Sequence, residues 1–210
     1  MRRVKVPETS FLIGPNHRAQ GHPFALIPEG IWETPLGNVP IDRDFASGLL
    51  EASHDLTSNF DAHEKEHSLE VEVPFLQYRS PQVKIVPLII GTLDVDRAHE
   101  VACSLVEFLK SRSRFLIVAS TDMSHYESDE DTRQKDRYAL QAIEALDEVG
   151  LRRAVERYRI TMCGYVPVYM TILLAKALGV TKATLVDYRT SADTSGDYDR
   201  VVGYASFIIN

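Results

Sequence analysis

Three segments of the chain are apolar at almost every position, and they constrain the fold more than any other feature. They read "SFLIG", "VKIVPLIIG" and "RFLIVAS". A strand that is apolar throughout has both of its faces buried, which is typical of parallel sheets covered by helices on both sides. The amphipathic segment "DVDRAHEVACSLVEFLKS" lies between the second and the third and opens with an aspartate cap, so it is predicted to be a helix. We therefore predict an α/β fold with a mixed, mostly parallel sheet covered by helices on both faces.

Shorter patterns fill in the rest of the chain. The segments "FALIP" and "IWETPLGNVPID" are predicted to be short strands with a hairpin-like loop, and "RDFASGLLEAS" and residues 63–78 to be helices. The charged segment "YESDEDTRQKDRY" is expected to lead into the helix "ALQAIEALDEV", followed by a helix at "LRRAVERY" and a buried helix after Cys163. The last two strands, "KATLVDYRT" and "RVVGYASFII", are expected to pair antiparallel at one edge of the sheet. No repeat or linker interrupts this pattern, which predicts one domain over residues 1–210.

Composition and charge exclude several classes of function. With 44% hydrophobic and 25% charged residues the chain has the composition of an ordinary globular protein, and its net charge of −7 argues against binding nucleic acid. The basic groups Arg2–Arg3–Lys5 and Arg152–Arg153 are expected to be solvated surface. No apolar run is long enough to span a bilayer, and Cys103, predicted to be a buried core thiol, forms no disulfide framework with Cys163. With no signal peptide at the start, the expected location is cytoplasmic.

The string His63-Glu64-Lys65-Glu66-His67 matches H-E-x-x-H, the zinc-binding motif of metalloproteases. We reject this interpretation because such a helix is largely buried, whereas this string has no apolar residue, and because no third ligand follows. His63 is instead expected in the charged first turn of an exposed helix. His67 is harder to dismiss as surface, since the chain becomes apolar directly after it.

Two of the apolar strands end in loops that contain candidate functional residues. "FLIG" runs into Asn16 and His17, and "FLIVAS" runs into a loop with Asp122 and His125. In open α/β sheets ligands bind beyond the carboxyl ends of the strands, so parallel neighbours would place His17, Asp122 and His125 at one crevice. The Asp122 carboxylate could fix the tautomer of His125 and raise its basicity. The residues alone leave open the alternative that Asp122 caps a following helix and His125 is incidental.

Cys163-Gly164 precedes the predicted buried helix. A helix start lowers the pKa of a thiol, so Cys163 is a candidate metal ligand or redox group. A lone cysteine in this position is nevertheless more often structural, and the polar loop "TSADTSGDYDR" is either a lid or a simple connection.

Six strings occur in the order found in one family: "FLIGPNH", "DAHEKEHSLEVEVPFLQ", "VPLIIG", "IVASTDMSHY", "TMCG" and "SADTSGDYDRVVGYAS". From Phe11 to its end the chain resembles the Memo family, the mediator of cell motility-like proteins, also known as protein B of the AmmeMemoRadiSam system. The resemblance implies a fold like that of class III extradiol dioxygenases, which bind non-haem Fe(II). It also implies that "EHSLE", rather than "HEKEH", is the meaningful unit around His67.

The resemblance further implies roles for individual residues. His17 and Cys163 correspond to metal ligands, His125 to the acid/base of the dioxygenases and Asp122 to the residue that orients it. Asn16 and His67 are expected to line the same pocket. A thiolate with an imidazole suits Fe(II) or copper, with zinc as a further candidate.

The resemblance departs from the family at the start of the chain. The family begins with a strand ending in Pro-His-Ala-Gly-Tyr, whose histidine is another ligand, and residues 1–10 contain no such motif. We therefore expect the chain to lack a strand, its helix and one ligand, which leaves open whether it binds metal at all.

Two functions of different classes remain open from the sequence. The first is a metal-binding protein whose activity, if it is an enzyme, is that of a metal-dependent oxidoreductase similar to a dioxygenase. The second is a non-catalytic module that binds a peptide or protein in the same crevice. The family also implies radical-SAM and AMMECR1-type proteins as partners. The substrate and the identity of the metal are not determined by the sequence.

Overall fold

Strand β1 (Thr9–Pro15) lies at the centre of parallel pairing in the first half of the chain. All seven of its residues are buried, as expected for a strand covered on both faces. It pairs in parallel with β6 (Lys84–Ile90) on one side and with β7 (Phe115–Ala119) on the other. The prediction that these three apolar segments are strands is therefore confirmed. Because parallel strands end at the same edge, the ends of β1 and β7 lie side by side within the first unit.

The computed structural model describes residues 6–210, so the predicted basic start at Arg2, Arg3 and Lys5 lies outside the described residues. The chain divides into two units, one ending at Ser120 and the other beginning at Thr121. The described elements of the first unit, besides β1, β6 and β7, are β2 (Phe24–Leu26), β3 (Ile31–Thr34), β4 (Gly37–Pro40), α1 (Arg43–Ala52), β5 (Thr57–Ser58), α2 (Asp61–Glu64), α3 (Val73–Arg79) and α4 (Val95–Lys110).

The sheet of the first unit has the order β5-β2-β6-β1-β7. Among the strands that the structure describes in this sheet, β2 and β6 form the only antiparallel pair, and the other neighbours run parallel. Helices α1 and α4 pack together, and Phe45 of α1 contacts the rings of Phe11 in β1 and Phe115 in β7. The predicted class, α/β with a mixed and mostly parallel sheet flanked by helices, is confirmed, and it is consistent with a dioxygenase-like fold.

The second unit is built around its own antiparallel sheet, with the order β8-β10-β9. Helix α5 packs against β9 and β10, α5 against α6, and α6 against α7. Helix α7 is buried on nearly all sides, as its apolar composition predicted. The elements of this unit are β8 (His125–Glu127), α5 (Asp129–Glu144), α6 (Glu148–Tyr158), α7 (Tyr165–Ala177), β9 (Ala183–Thr190), α8 (Ala192–Ser195) and β10 (Val201–Ile209).

The last two strands pair antiparallel as predicted, but their predicted place at an edge of the main sheet is wrong. They join β8 in a separate sheet, and the main sheet is mixed because of β2. The pattern of apolar residues within a strand indicates which faces are buried, but it does not indicate which sheet the strand joins.

Two helix boundaries also differ from the prediction. The helix expected over residues 63–78 is divided into α2 and α3 by turns over residues 68–72, and Pro74 stands in the first turn of α3, where its missing N–H is tolerated. Helix α5 begins at Asp129, so the charged segment is the first half of the helix itself. Ser128 caps it by accepting the N–H of Asp131, and the acidic first turn suits the positive end of the helix dipole.

The prediction that Cys103 is a core thiol is wrong, because its side chain is exposed on α4. The buried face of this helix carries Val101, Ala102, Leu105 and Leu109. Its predicted aspartate cap is confirmed: Asp94 accepts the N–H groups of Asp96 and Arg97. No helix among the residues that the structure describes combines the length and the apolarity needed to cross a bilayer.

The two histidines of the H-E-x-x-H string lie in different environments, and the predicted exposure of His63 is wrong. His63 is buried, with only 8% of its surface exposed, whereas His67 is exposed. The Nε2–H of His63 donates to the carbonyl of Ala25, 3.0 Å away. Because His63 faces strand β2 and α2 ends at Glu64, the two imidazoles do not share a helix face, and the rejection of the protease motif is confirmed by geometry.

The burial of His63 makes stability depend on pH. Burial lowers its pKa from 6.5 to about 4, against the opposing effects of the Ala25 hydrogen bond and of Glu66. Between these two pKa values the unfolded chain binds a proton that the folded protein does not. Stability is therefore complete above pH 6.5 and falls as the pH drops towards 4.

We predict that replacing His63 with glutamine, whose amide can still donate to Ala25, removes this dependence. The free energy of unfolding of the parent should fall by about 3 kcal/mol more than that of H63Q between pH 7 and pH 4. Urea unfolding at several pH values measures the difference. Parallel pH profiles for the two proteins would contradict the assignment, and H99Q, which changes an exposed histidine, serves as the control.

Candidate metal-binding groups

The first unit brings together His17, Glu66 and His67. One potential ligand atom of each lies within 4.8 Å of the others. The imidazoles of His17 and His67 stack with their centroids 4.7 Å apart and their planes inclined by 24°. Two of these residues, His17 and His67, were expected from the sequence to share a pocket, and here they are in direct contact.

Glu66 is the residue that organises this group. Its Oε1 accepts the backbone N–H groups of His67 and Ser68 and lies 2.8 Å from Nδ1 of His17, and its Oε2 accepts the backbone N–H of His17. Burial favours the neutral acid, but these hydrogen bonds outweigh it and lower the pKa of Glu66 to about 2. Because its acceptor positions are occupied by donors of the protein, Glu66 suits the orientation of ligands better than the ligation of a metal.

The ionised Glu66 determines which nitrogen of His17 carries the proton. A carboxylate only accepts hydrogen bonds, so Nδ1 of His17 must donate, and in the neutral imidazole Nε2 is the nitrogen with the lone pair. A carboxylate behind the imidazole is a common arrangement in metal sites, where it fixes the ring and makes it a better ligand. His17 is thus prepared as an Nε2 donor, with 31% of its side chain exposed.

The segment that carries Glu66 lies against the end of β1 because Gly14 has no side chain. A Cβ at Gly14 would lie 2.7 Å from a methyl carbon of Leu69 and 2.8 Å from Oγ of Ser68. Ser68 donates its hydroxyl to the carbonyl of Pro15, and Ser120 at the end of β7 donates to the carbonyl of Ser68. The strand ends thereby hold the loop on which Glu66 and His67 lie.

Asn16, predicted to line the pocket, has its side chain engaged within its own loop. Its amide group donates to the carbonyl of Gln20, 2.7 Å away, and its Oδ1 accepts the N–H of Arg18. Its backbone N–H continues the pairing of β1 by donating to Ile90. The visible effect of Asn16 is to shape the turn that presents His17.

The second unit brings together Asp122, His125 and Cys163. Their ligand atoms also lie within 4.8 Å of one another. The loop from Thr121 to His125 is fixed to the loop before α7: the N–H of Asp122 donates to Sγ of Cys163, and the hydroxyl of Thr121 accepts the N–H of Gly164. Asp122 precedes strand β8 and not a helix, so the alternative in which it is a helix cap is excluded.

His125 is held in one tautomer by Thr161. Nδ1 of His125 lies 2.8 Å from the carbonyl oxygen of Thr161, which only accepts, so Nδ1 carries a proton. Nε2 points to the carboxylate of Asp122, 3.7 Å away. This carboxylate, with the Thr161 carbonyl, raises the pKa of His125 above its usual value in spite of partial burial. His125 can therefore carry a proton on Nε2 or release it to leave a lone pair.

The pKa of Cys163 differs from what its position before a helix suggested. Burial raises the pKa of the thiol, and the nearby Asp122 carboxylate adds to this effect, which hydrogen bonds from the backbone only partly offset. The predicted lowering of this pKa is wrong because removing the sulfur from water disfavours the thiolate more than its hydrogen bonds favour it. A metal cation held by Cys163 would supply the positive charge that a thiolate at this position needs.

The donor chemistry of both groups fits the metals expected from the sequence. A thiol, imidazoles with free Nε2 atoms and a carboxylate are the ligands found around iron, copper and zinc. The sequence named five of the six residues in these two groups but missed Glu66. The glutamate of Glu-His-Ser was the available signal, because it directly precedes the candidate His67.

The fold and these groups define a class: an α/β protein with histidine, cysteine and carboxylate side chains at the strand ends and in the adjoining loops. The family model for Memo-like proteins matches residues 1–208. The chain belongs to the Memo-like family.

Curated relatives agree with the family model. A MEMO1 family protein of Methanopyrus kandleri is 41% identical over 204 residues, covering 96% of this chain and 72% of its own. Another from Methanobrevibacter smithii is 40% identical over 203 residues, covering 96% and 72%. A third from Aquifex aeolicus is 41% identical over 208 residues, covering 99% and 77%. The family resemblance inferred from the six strings is thereby confirmed.

We predict that E66Q destabilises the first unit, because an amide nitrogen cannot accept the N–H groups that the carboxylate accepts. The free energy of unfolding should fall by about 1–3 kcal/mol at neutral pH. The lowered pKa of Glu66 contributes stability above its unfolded value of 4.5, and this is lost as the pH falls towards 2. The difference between parent and variant should therefore shrink below pH 4.5 in urea unfolding experiments.

The matched control is E64Q, which removes the charge of an exposed glutamate in the same segment. It should change stability by less than about 0.5 kcal/mol at any of these pH values. Equal effects of E64Q and E66Q would show that net charge, and not the hydrogen bonds of Glu66, is responsible.

Proposed function

We propose that this protein binds a transition metal through imidazole and thiolate donors and supports redox or oxygenase-like chemistry with it. The observation that carries the proposal is the group in the second unit: a cysteine sulfur, an imidazole and a carboxylate within 4.8 Å of one another. Exposed acidic clusters are common without a bound metal. This group differs because it contains a half-buried thiol and a histidine whose tautomer is fixed by a hydrogen bond to the carbonyl of Thr161.

The ligands that the family resemblance assigns are His17 in the first unit and Cys163 in the second. Each belongs to a donor group of its own unit, which supports both assignments independently. Soft sulfur together with imidazole favours Fe(II) or copper over magnesium or calcium, and zinc is a further candidate. A bound iron or copper ion would supply electron transfer and the activation of oxygen, which side chains alone do not provide.

The proposed role of His125 is to move a proton at Nε2, with Asp122 as its partner. The carboxylate raises the pKa of the imidazole above its usual value, which favours the protonated form that an acid catalyst needs. Thr161 keeps the ring oriented through Nδ1, and the N–H of His125 is also bound by the hydroxyl of Thr161. A proton on Nε2 therefore moves without rotation of the ring.

A second candidate function is the recognition of a peptide or protein, and one observation favours it. Tyr126, next to His125, is 67% exposed and has a left-handed backbone with φ of 63°, a conformation that costs energy for a residue of this type. The guanidinium of Arg200 lies 5.5 Å from the centre of its ring. Exposed aromatic and arginine side chains are enriched at the centres of binding interfaces.

We predict that the protein purified without oxygen contains iron or copper. C163S should lower the metal held by the group of the second unit at least tenfold, since loss of a ligand removes a large part of the affinity, and H17A tests the group of the first unit in the same way. Metal analysis by mass spectrometry, with circular dichroism to verify folding, measures this. The matched controls are H99A and C103S, which change an exposed histidine and an exposed cysteine.

The outcomes separate the two candidate functions. Loss of metal in H17A and C163S with full metal in H99A and C103S supports the metal-dependent function and directs attention to oxygen uptake. A folded parent without metal, even after reconstitution with Fe(II) and copper, contradicts it and favours the binding module. A binding module should also tolerate C163S and H125A without loss of its partner.

A further inference from the structure

Asp136 is an acidic side chain buried in the middle of α5, and it belongs to neither donor group. None of its surface is exposed. Its Oδ1 accepts the backbone N–H of Ser124 at 3.0 Å, and its Oδ2 accepts the hydroxyl of Tyr188 at 2.7 Å. A fully buried carboxylate is costly unless it is well paired, so both partners are required for its presence.

The partner Ser124 lies in the loop that carries Asp122 and His125. Met123 and Ser124 are completely buried, whereas Asp122 and His125 on either side of them are partly exposed. The loop is also paired with Gly203 of β10: the N–H of Met123 donates to the carbonyl of Gly203, and the N–H of Gly203 donates to that of Ser124. The buried residues Met123 and Ser124 are therefore fixed by hydrogen bonds to Gly203 and Asp136, whereas the side chains of Asp122 and His125 remain partly exposed.

Strand β10 approaches the side chain of Asp136 closely at Gly203. A Cβ at Gly203 would lie 2.2 Å from Oδ2 of Asp136 and 3.0 Å from the hydroxyl oxygen of Tyr188. A glycine is needed here for space, since its φ is not positive. Strand β10 therefore packs directly against the hydrogen-bonded side chains of Asp136 and Tyr188.

We propose that Asp136 is a positioning residue: with Tyr188 it anchors the loop Thr121–His125 so that Asp122 and His125 stay in place beside Cys163. This inference rests on the proposed metal-binding function. Residues that hold the surroundings of metal ligands typically contribute a factor of about 10–100 to metal affinity. The factor arises because a loop that samples several conformations must be ordered again each time the metal binds.

Three variants test this anchor. D136A removes the acceptor of the Ser124 N–H and leaves that buried donor unpaired. D136N keeps it, because the amide oxygen still accepts from Ser124 while the amide nitrogen donates to the hydroxyl of Tyr188. Y188F removes the hydroxyl that holds Oδ2 and should give an intermediate effect.

A matched control separates anchoring from general loss of stability. Ile143 lies on the same helix, is 3% exposed and is not hydrogen bonded to the loop through its side chain. I143A should destabilise the protein by about 2–5 kcal/mol through a cavity. It should leave the loop at residues 121–125 unchanged.

The experiment is titration of the full chain with Co(II), whose bond to a thiolate gives an absorption band that reports on Cys163. We expect D136A to bind Co(II) 10–100-fold more weakly than the parent and to change the band, and D136N and I143A to stay within about threefold of the parent. A C163S variant confirms that the band belongs to Cys163.

Each outcome separates this inference from the proposed function. A parent without a thiolate band overturns the proposed function and this inference with it. A band that D136A leaves unchanged in strength and position, or an equal loss of affinity in I143A, overturns the inference alone. If D136A does not fold, a tenfold or greater loss in D136N, whose hydrogen bonds are retained, would also overturn it, whereas near-parent affinity of D136N with an intermediate loss in Y188F would support it.

Discussion

The first unit depends on the parallel pairing of β1 with β6 and β7. This pairing buries β1 on both faces and brings the ends of β1 and β7 to one edge, where Ser120 donates its backbone N–H to Ile13. At that edge the chain must leave the sheet, and its polar backbone needs partners. The side chains of Ser68 and Ser120 supply some of them, so the loop with His67 is fixed by the same contacts that end the strands.

Two carboxylates hold the loops of the candidate groups through hydrogen bonds, and their pKa values are shifted in opposite directions. Glu66 has four donors on its two oxygens, and they hold its pKa far below the usual value. Asp136 is more deeply buried with two partners, and burial raises its pKa in spite of them. The loop carboxylate Glu66 is thus stabilised as an anion by four donors, whereas Asp136 in the second unit depends on the quality of two hydrogen bonds.

The sequence predicted what local patterns determine. Apolar runs located β1, β6 and β7, the aspartate cap located the start of α4, and the residues after the strands included five of the six in the two donor groups. It failed where partners distant in sequence decide the outcome. His63 is buried because it meets Ala25, 38 residues away, and the neutral thiol of Cys163 reflects burial that no dipeptide reveals. Glu66 was missed for the same reason, since a glutamate in a charged string shows its role only when the donors that surround it are known.

His17, His63 and His125 show how the acceptor of one ring nitrogen decides what the other nitrogen can do. Ala25 accepts from Nε2 of His63 and leaves a buried Nδ1, so this ring serves the fold. Glu66 and the carbonyl of Thr161 accept from Nδ1 of His17 and His125, so in these rings Nε2 remains available. Residue type alone does not separate the structural histidine from the candidate ligands. The position of one acceptor atom does, because an imidazole fixed through Nδ1 presents Nε2 as a donor to metal or as a site for a proton.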